Sequence, residues 1–102
     1  MFIVIYQWQI KEAKEPQFIE NWEKLTNIIY KKFGSLGSRL HKVSDNHFLA
    51  YAQWPNKELW EKEHIFSDED KAILLKMSEC IKKSFETITS NVVSDLLRKE
   101  IN

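Results

Sequence analysis

The chain has one cysteine, two glycines and two prolines in 102 residues, and no surplus of charge of either sign. Each scarcity closes off a class of chemistry. Cys80, standing alone, cannot form an internal disulfide, and the paired thiolates of a zinc knuckle are missing. A lone thiol in a helical stretch reads as a small core residue, and no base lies beside it to make it a nucleophile. Gly34 and Gly37 read as a helix cap and a strand kink or bulge, not as a loop that cradles phosphate. No Gly-x-Ser-x-Gly elbow is present. Fifteen Lys and Arg balance fifteen Asp and Glu, so the basic excess of a nucleic-acid binder is lacking. The three histidines and the acids show no metal-ligand spacing. The acidic "HIFSDED" reads as a capped, solvated first turn of helix. The opening run "MFIVIYQWQI" has no basic flank and is too short to span a membrane. These exclusions lead us to expect a soluble, cytoplasmic protein without metal, membrane or nucleic-acid partner.

What is present suits one domain over residues 1–102, with one core. Phe2–Ile10 is β-branched and aromatic. Phe2, Val4, Tyr6, Trp8 and Ile10 share one strand face, and Ile3, Ile5, Gln7 and Gln9 the other. Both faces begin apolar, which predicts a central strand covered on both sides. After the polar "KEAKE", Pro16 suits a first helical position. Phe18, Trp22, Leu25, Ile28 or Ile29, and Phe33 then recur at helical spacing up to Gly34. "SLGSRLHKV" and "HFLAYAQW", joined by Ser44-Asp45-Asn46, predict a hairpin. Asn56 caps a short helix to about Glu63. Ser67 with Asp70 resembles a capping box. The helix after it is expected to turn Ile73, Met77, Cys80 or Ile81, and Ser84 or Phe85 inward. "ETITSNVVSDLL" predicts a fourth strand to about Ser94, with a helical turn over "SDLLRKEI" as the alternative.

The expected order is β-α-β-β-α-β, an α+β, ferredoxin-like four-stranded antiparallel sheet with helices on one face. No element remains to cover the other face. An apolar sheet of that size is expected to be an interface, and two sheets meeting across a two-fold axis make a homodimer through sheet faces.

The chain resembles the antibiotic biosynthesis monooxygenase family of dimeric α+β barrels. The stretches that carry the resemblance are "FIVIYQWQI", "FIENWEKL", "GSLGSRLHKV" and "FLAYAQWPNKELWE", with a closing strand ending "SDLL". The resemblance implies a homodimer whose sheets form a barrel, with a pocket between sheet and helices in each subunit. It also implies cofactor-free oxidation of a small aromatic or enolisable molecule by O₂, although some members degrade haem or have other roles. The haem-degrading branch uses an Asn late in the first strand, a Trp, and a His on a later helix. Gln7 stands near the Asn position, but "DKAILLKMSECIKK" carries no His, and His64 is a forced substitute for the iron ligand.

Cofactor-free oxygenation needs a dry aromatic pocket, a proton acceptor and donors to a phenolate oxygen. The catalytic candidates are His64, Gln7, Tyr51 and Arg39; the substrate-binding candidates are Trp54, Trp60, Gln53 and Trp22. Each also has a plain reading. Gln7 and Gln9 pair within the sheet or across the dimer, Arg39 and His41 sit on a solvated hairpin face, and Tyr51 reaches a backbone partner. Trp54 and Trp60 are core packing at a strand-to-helix corner, Trp8 is core, and His64 is a surface residue near a mobile segment. His64, Arg39 or His41 in the cavity with Gln7 or Tyr51 favours an enzyme. A purely aromatic and aliphatic lining favours a non-catalytic, ligand-binding or regulatory homodimer.

Overall fold

The computed structural model describes residues 1–100. The element order is β1 (Phe2–Ile10), α1 (Glu15–Phe33), β2 (Ser38–Ser44), β3 (His47–Trp54), α2 (Lys57–Glu61), α3 (Asp68–Ser78), β4 (Ile81–Ser84) and β5 (Ile88–Asn91). All pairings are antiparallel, in the order β2-β3-β1-β4, with β5 also on β1. β4 pairs with Trp8–Ile10 and β5 with Phe2–Ile5, so the two lie end to end along one side of β1. The sheet is therefore four positions wide, the α+β ferredoxin-like arrangement expected, with its last strand broken in two.

β1 is central because its apolar residues run on both faces. Its even-numbered residues meet the helices. Trp8 and Ile10 join Phe18, Leu25, Phe48, Met77 and Cys80 in one cluster, while Phe2 and Val4 join Ala52 and Trp54 in a second. Phe18 is wholly buried, with Trp8 edge-on at 5.3 Å and Phe48 tilted at 5.5 Å between ring centroids. Truncating any of these three rings removes both buried area and aromatic contact.

The ends of α1 follow local chemistry. Pro16 sits in its first turn, where a missing N–H costs nothing, and Gly34 closes it in the left-handed region at φ 83°. Glu15 ties that first turn to the hairpin tip, accepting from Lys42 Nζ at 2.9 Å and from the Asn46 N–H at 2.7 Å. Asn46, at φ 61°, tolerates the tight turn better than a β-branched residue. The Asn56 and Ser67 side chains cap α2 and α3 by accepting from Leu59 N and Asp70 N, as their sequences predict.

The second half of the chain departs from expectation. α2 stops at Glu61, and α3 stops at Ser78. Ile81 and Ser84 lie on β4 instead of an inward helix face, and Phe85 follows them. The cause is β1's free edge: Lys11 N–H donates to Cys80 O at 2.8 Å, and Phe85 N–H to Gln7 O at 3.0 Å. An unpaired buried strand edge outweighs the modest helix preference of "CIKKS". Cys80, at the turn into β4, is fully buried, and burial pushes its thiol up in pKa. Strand structure ends at Asn91 instead of Ser94, and Ser94–Glu100 is not helical. Ile101, the last residue of the helical alternative, and Asn102, the end of the expected domain, lie outside the described residues.

α1 and α3 are joined by an ion pair. Lys32 Nζ donates to Asp70 Oδ2 at 2.6 Å, and the Asp70 side chain is buried while that of Lys32 is half-exposed. Lys32, followed by the Ser67 hydroxyl, holds the Asp70 carboxyl below the usual carboxylate range. The folded chain therefore binds that proton less tightly than the unfolded chain. The resulting stability is complete above the unfolded carboxylate pKa and is lost as pH falls through the depressed folded value. Asp70→Asn is expected to lower the urea midpoint at neutral pH, with the gap to wild type closing on acidification; a gap independent of pH would show that the charge is not the cause.

Candidate functional site

Between the sheet and the helices lies a cavity of about 210 Å³. Tyr6 and Trp8 come from β1, Ala50, Ala52 and Trp54 from β3, Trp22, Leu25, Thr26 and Ile29 from α1, and Met77 from α3. Ser35 and Ser38, around the start of β2, complete it. Its origin is a mismatch in side-chain size. Tyr6 pairs with Ala50, and Val4 with Ala52, so methyl groups stand where larger side chains would fill the layer. The Tyr6 and Trp8 rings are nearly parallel, 7° apart, with centroids at 5.8 Å.

No side chain lining the cavity is charged. Its most distinctive polar group is the Tyr6 hydroxyl. Trp60 Nε1 donates to that oxygen at 3.1 Å, and among the described residues no acceptor takes the hydroxyl hydrogen. The group can thus donate into the cavity while its oxygen is supported from behind. Burial pushes its pKa up, and the bond from Trp60 offsets part of that rise. Tyr6 is a neutral donor at physiological pH and not a general base.

The expected site residues divide between the two faces of the sheet. Trp22 and Trp54 line the cavity, and so does Trp8. Trp60 reaches it through Tyr6 and packs on Phe2 at 5.6 Å. His64 does not line it. The imidazole is stacked between Trp54 (5.4 Å, 4°) and Phe33 (4.6 Å, 19°), and its Nε2 donates to Leu59 O at 3.0 Å. It fixes the back of Trp54 instead of lying free on the surface.

Gln7, Arg39, Tyr51 and Gln53 lie on the opposite face, away from the helices. Alternation requires this once Tyr6, Ala50 and Ala52 face the cavity, because these four are one residue out of step with the inward set. Gln7 accepts from His47 Nε2 at 3.1 Å. Arg39 and Tyr51 are paired across strands, and with Gln53 and Leu36 they border a shallow cleft of about 170 Å³. His41 follows Arg39 on that face. None of His64, Arg39, His41, Gln7 or Tyr51 enters the cavity. The sequence pattern places Tyr6 on one face of β1 and assigns no site role to it or to Ala50 and Ala52, although "YQW" opposite "AYAQW" contains the signal: a large polar-tipped ring facing two methyl groups.

Neither a protein-family model nor a curated protein matches the chain. Solved structures do. SnoaB, a cofactor-independent oxygenase from Streptomyces nogalater, superposes with a TM-score of 0.76 at 11% identity, covering 95% of this chain and 97% of that one. A structure named antibiotic biosynthesis monooxygenase gives 0.72 at 16% identity, covering 92% and 100%. A conserved protein of Methanosarcina mazei Go1 gives 0.69 at 22% identity, covering 87% and 89%. At such identities the likeness establishes the fold. That fold is the one implied by the resemblance in the sequence.

Removing the indole N–H should show whether Trp60 acts on Tyr6. In Trp60→Phe the Tyr6 phenol is expected to titrate at still higher pH in an ultraviolet difference titration, since a bond that lowers its pKa is lost. An unchanged tyrosine titration would show that the pair does not form in solution.

Proposed function

We propose that this chain is a cofactor-independent, monooxygenase-like enzyme that holds a small aromatic or enolisable molecule in the helix-side cavity. The observation that carries this reading is the Tyr6 hydroxyl, a donor backed by Trp60 in an otherwise apolar aromatic chamber. In this reading the substrate's phenol or enol gives its proton to bulk water before the ring is seated, and Tyr6 donates to the oxygen that becomes negative. Indole donation to Tyr6 strengthens that bond. The electron-rich ring carbon then reduces O₂. A carbon–oxygen bond forms, the hydroperoxide loses water, and a CH₂ group with O₂ ends as a carbonyl and H₂O. Trp22 and Trp54 hold the ring and keep water out, and His64 positions Trp54. The fold shared with a cofactor-independent oxygenase supports the reading.

A second reading is a non-catalytic ligand-binding or regulatory protein on the same scaffold. Its specific support is that no histidine, carboxylate or guanidinium lines the cavity among the described residues, so the chain supplies no base there. Oxygen uptake with dihydroxynaphthalenes and anthrones, without added metal, flavin or haem, separates the two. The enzyme reading expects uptake above the uncatalysed rate and a loss of about a hundredfold in Tyr6→Phe. Binding by calorimetry without uptake would leave the second reading standing.

We also infer that the open face of the sheet is the seam of a homodimer. Ile5, Leu49 and Tyr51 lie there partly exposed, and Ile88 beside them is half-exposed, whereas Ile3 on the same face is already buried within the chain. Beyond β5, Val93 and Leu96 are 96% and 83% exposed. Apolar surface of this kind is characteristic of an interface. In this reading Gln7, Arg39, Tyr51 and Gln53 serve association instead of chemistry. Light scattering at low micromolar concentration should give twice the chain mass, and Leu49→Asp should give the monomer. A wild-type monomer would overturn the inference.

A further inference from the structure

Two properties of the cavity beside Tyr6 narrow the class of ligand it can take; the inference rests on reading that cavity as the substrate site. The first is size. A dry apolar cavity of about 150 Å³ takes one benzene ring, and pockets for drug-sized ligands run from about 300 to 1,000 Å³. At about 210 Å³, this cavity has room for one ring and part of a second, and little beyond.

The second property is charge. The walls are aromatic, aliphatic or hydroxyl-bearing. Two of the hydroxyls have their hydrogens engaged: Ser35 Oγ donates to Gln53 O at 3.5 Å and accepts from Gly37 N–H at 2.9 Å, and Ser38 Oγ donates to Tyr51 O at 3.0 Å. That leaves the hydroxyls of Tyr6 and Thr26 to donate to a polar ligand atom. A carboxylate brought here would lose its water and find no cation. A phenolic oxygen meets the Tyr6 donor and spreads its charge over its ring.

We infer that the site takes a one- or two-ring hydroxyarene with no charged substituent, its oxygen on Tyr6. A third fused ring stands outside in water and adds no binding. The chemistry of this chain's own walls thus separates the ligand from extended polycyclic molecules and from aromatic acids.

Calorimetric titration of the purified full chain with phenol, 1-naphthol, 1-anthrol and a hydroxynaphthoic acid tests it. From phenol to naphthol the Kd is expected to fall by about tenfold or more, from the added apolar burial. From naphthol to anthrol it is expected to stay level. The hydroxynaphthoic acid is expected to bind at least about tenfold more weakly than naphthol. Tyr6→Phe is expected to weaken naphthol by about fivefold and to leave naphthalene unchanged. Affinity that keeps rising to anthrol, or a carboxylate that binds as well as naphthol, would overturn the inference while leaving the cavity as the ligand site. Binding by none of the probes would overturn the cavity reading itself, and this inference with it.

Discussion

The β1–β3 register is the constraint on which the rest depends. It sets Tyr6 opposite Ala50 and Val4 opposite Ala52, so the layer between sheet and helices is underfilled at one place. Strand side chains alternate with period two, and a slip of one residue would turn Tyr6 outward and bring Gln7 in. The register is held from both sides. β3 pairs along all but one residue of β1, while β4 and β5 divide the other edge. The cavity, the Tyr6 donor and the opposed open face all follow from this one alignment.

The helices complete the chamber but do not define it. Phe18 anchors α1 between Trp8 and Phe48, which places Trp22, Leu25 and Thr26, up to two turns further on, over the alanines. The short α2 and the segment after it act on the outer wall. Trp60 steadies Tyr6, and His64 is clasped between Phe33 and Trp54. The aromatic content that looks excessive for a small chain is thus shared between an anchoring cluster and a lining.

Much of this was legible in the sequence. The alternation in β1, the glycine cap of α1, the hairpin and the Asn56 and Ser67 caps are local signals, and the structure follows them. Trp22 and Trp54 could be picked out as lining because large aromatics at helical or strand spacing face inward. The side of the sheet that would hold the site was not legible. Ile3 and Ile5 are as apolar as Val4 and Tyr6, so the pattern of β1 does not say which face receives helices. That ambiguity makes Gln7, Arg39 and Tyr51 catalytic candidates and Gln53 a binding candidate by sequence, although all four face away from the helices. His64, a catalytic candidate by sequence, is instead clasped by Phe33 and Trp54, a contact that no local pattern around it signals. The strand at Ile81–Ser84 was hidden because its cause is an unpaired edge elsewhere in the chain.

Both outer edges of the sheet are interrupted. On one side β2 shifts register between Lys42 and Ser44; on the other, β4 and β5 are separated by a break across which the alignment with β1 advances by one residue. A strand from another molecule laid along either edge would lose its hydrogen-bond phase partway. Edge-to-edge growth into open fibrils is therefore discouraged by geometry, without relying on charge. Where two copies meet face to face about a two-fold axis, by contrast, the contact closes on itself and stops.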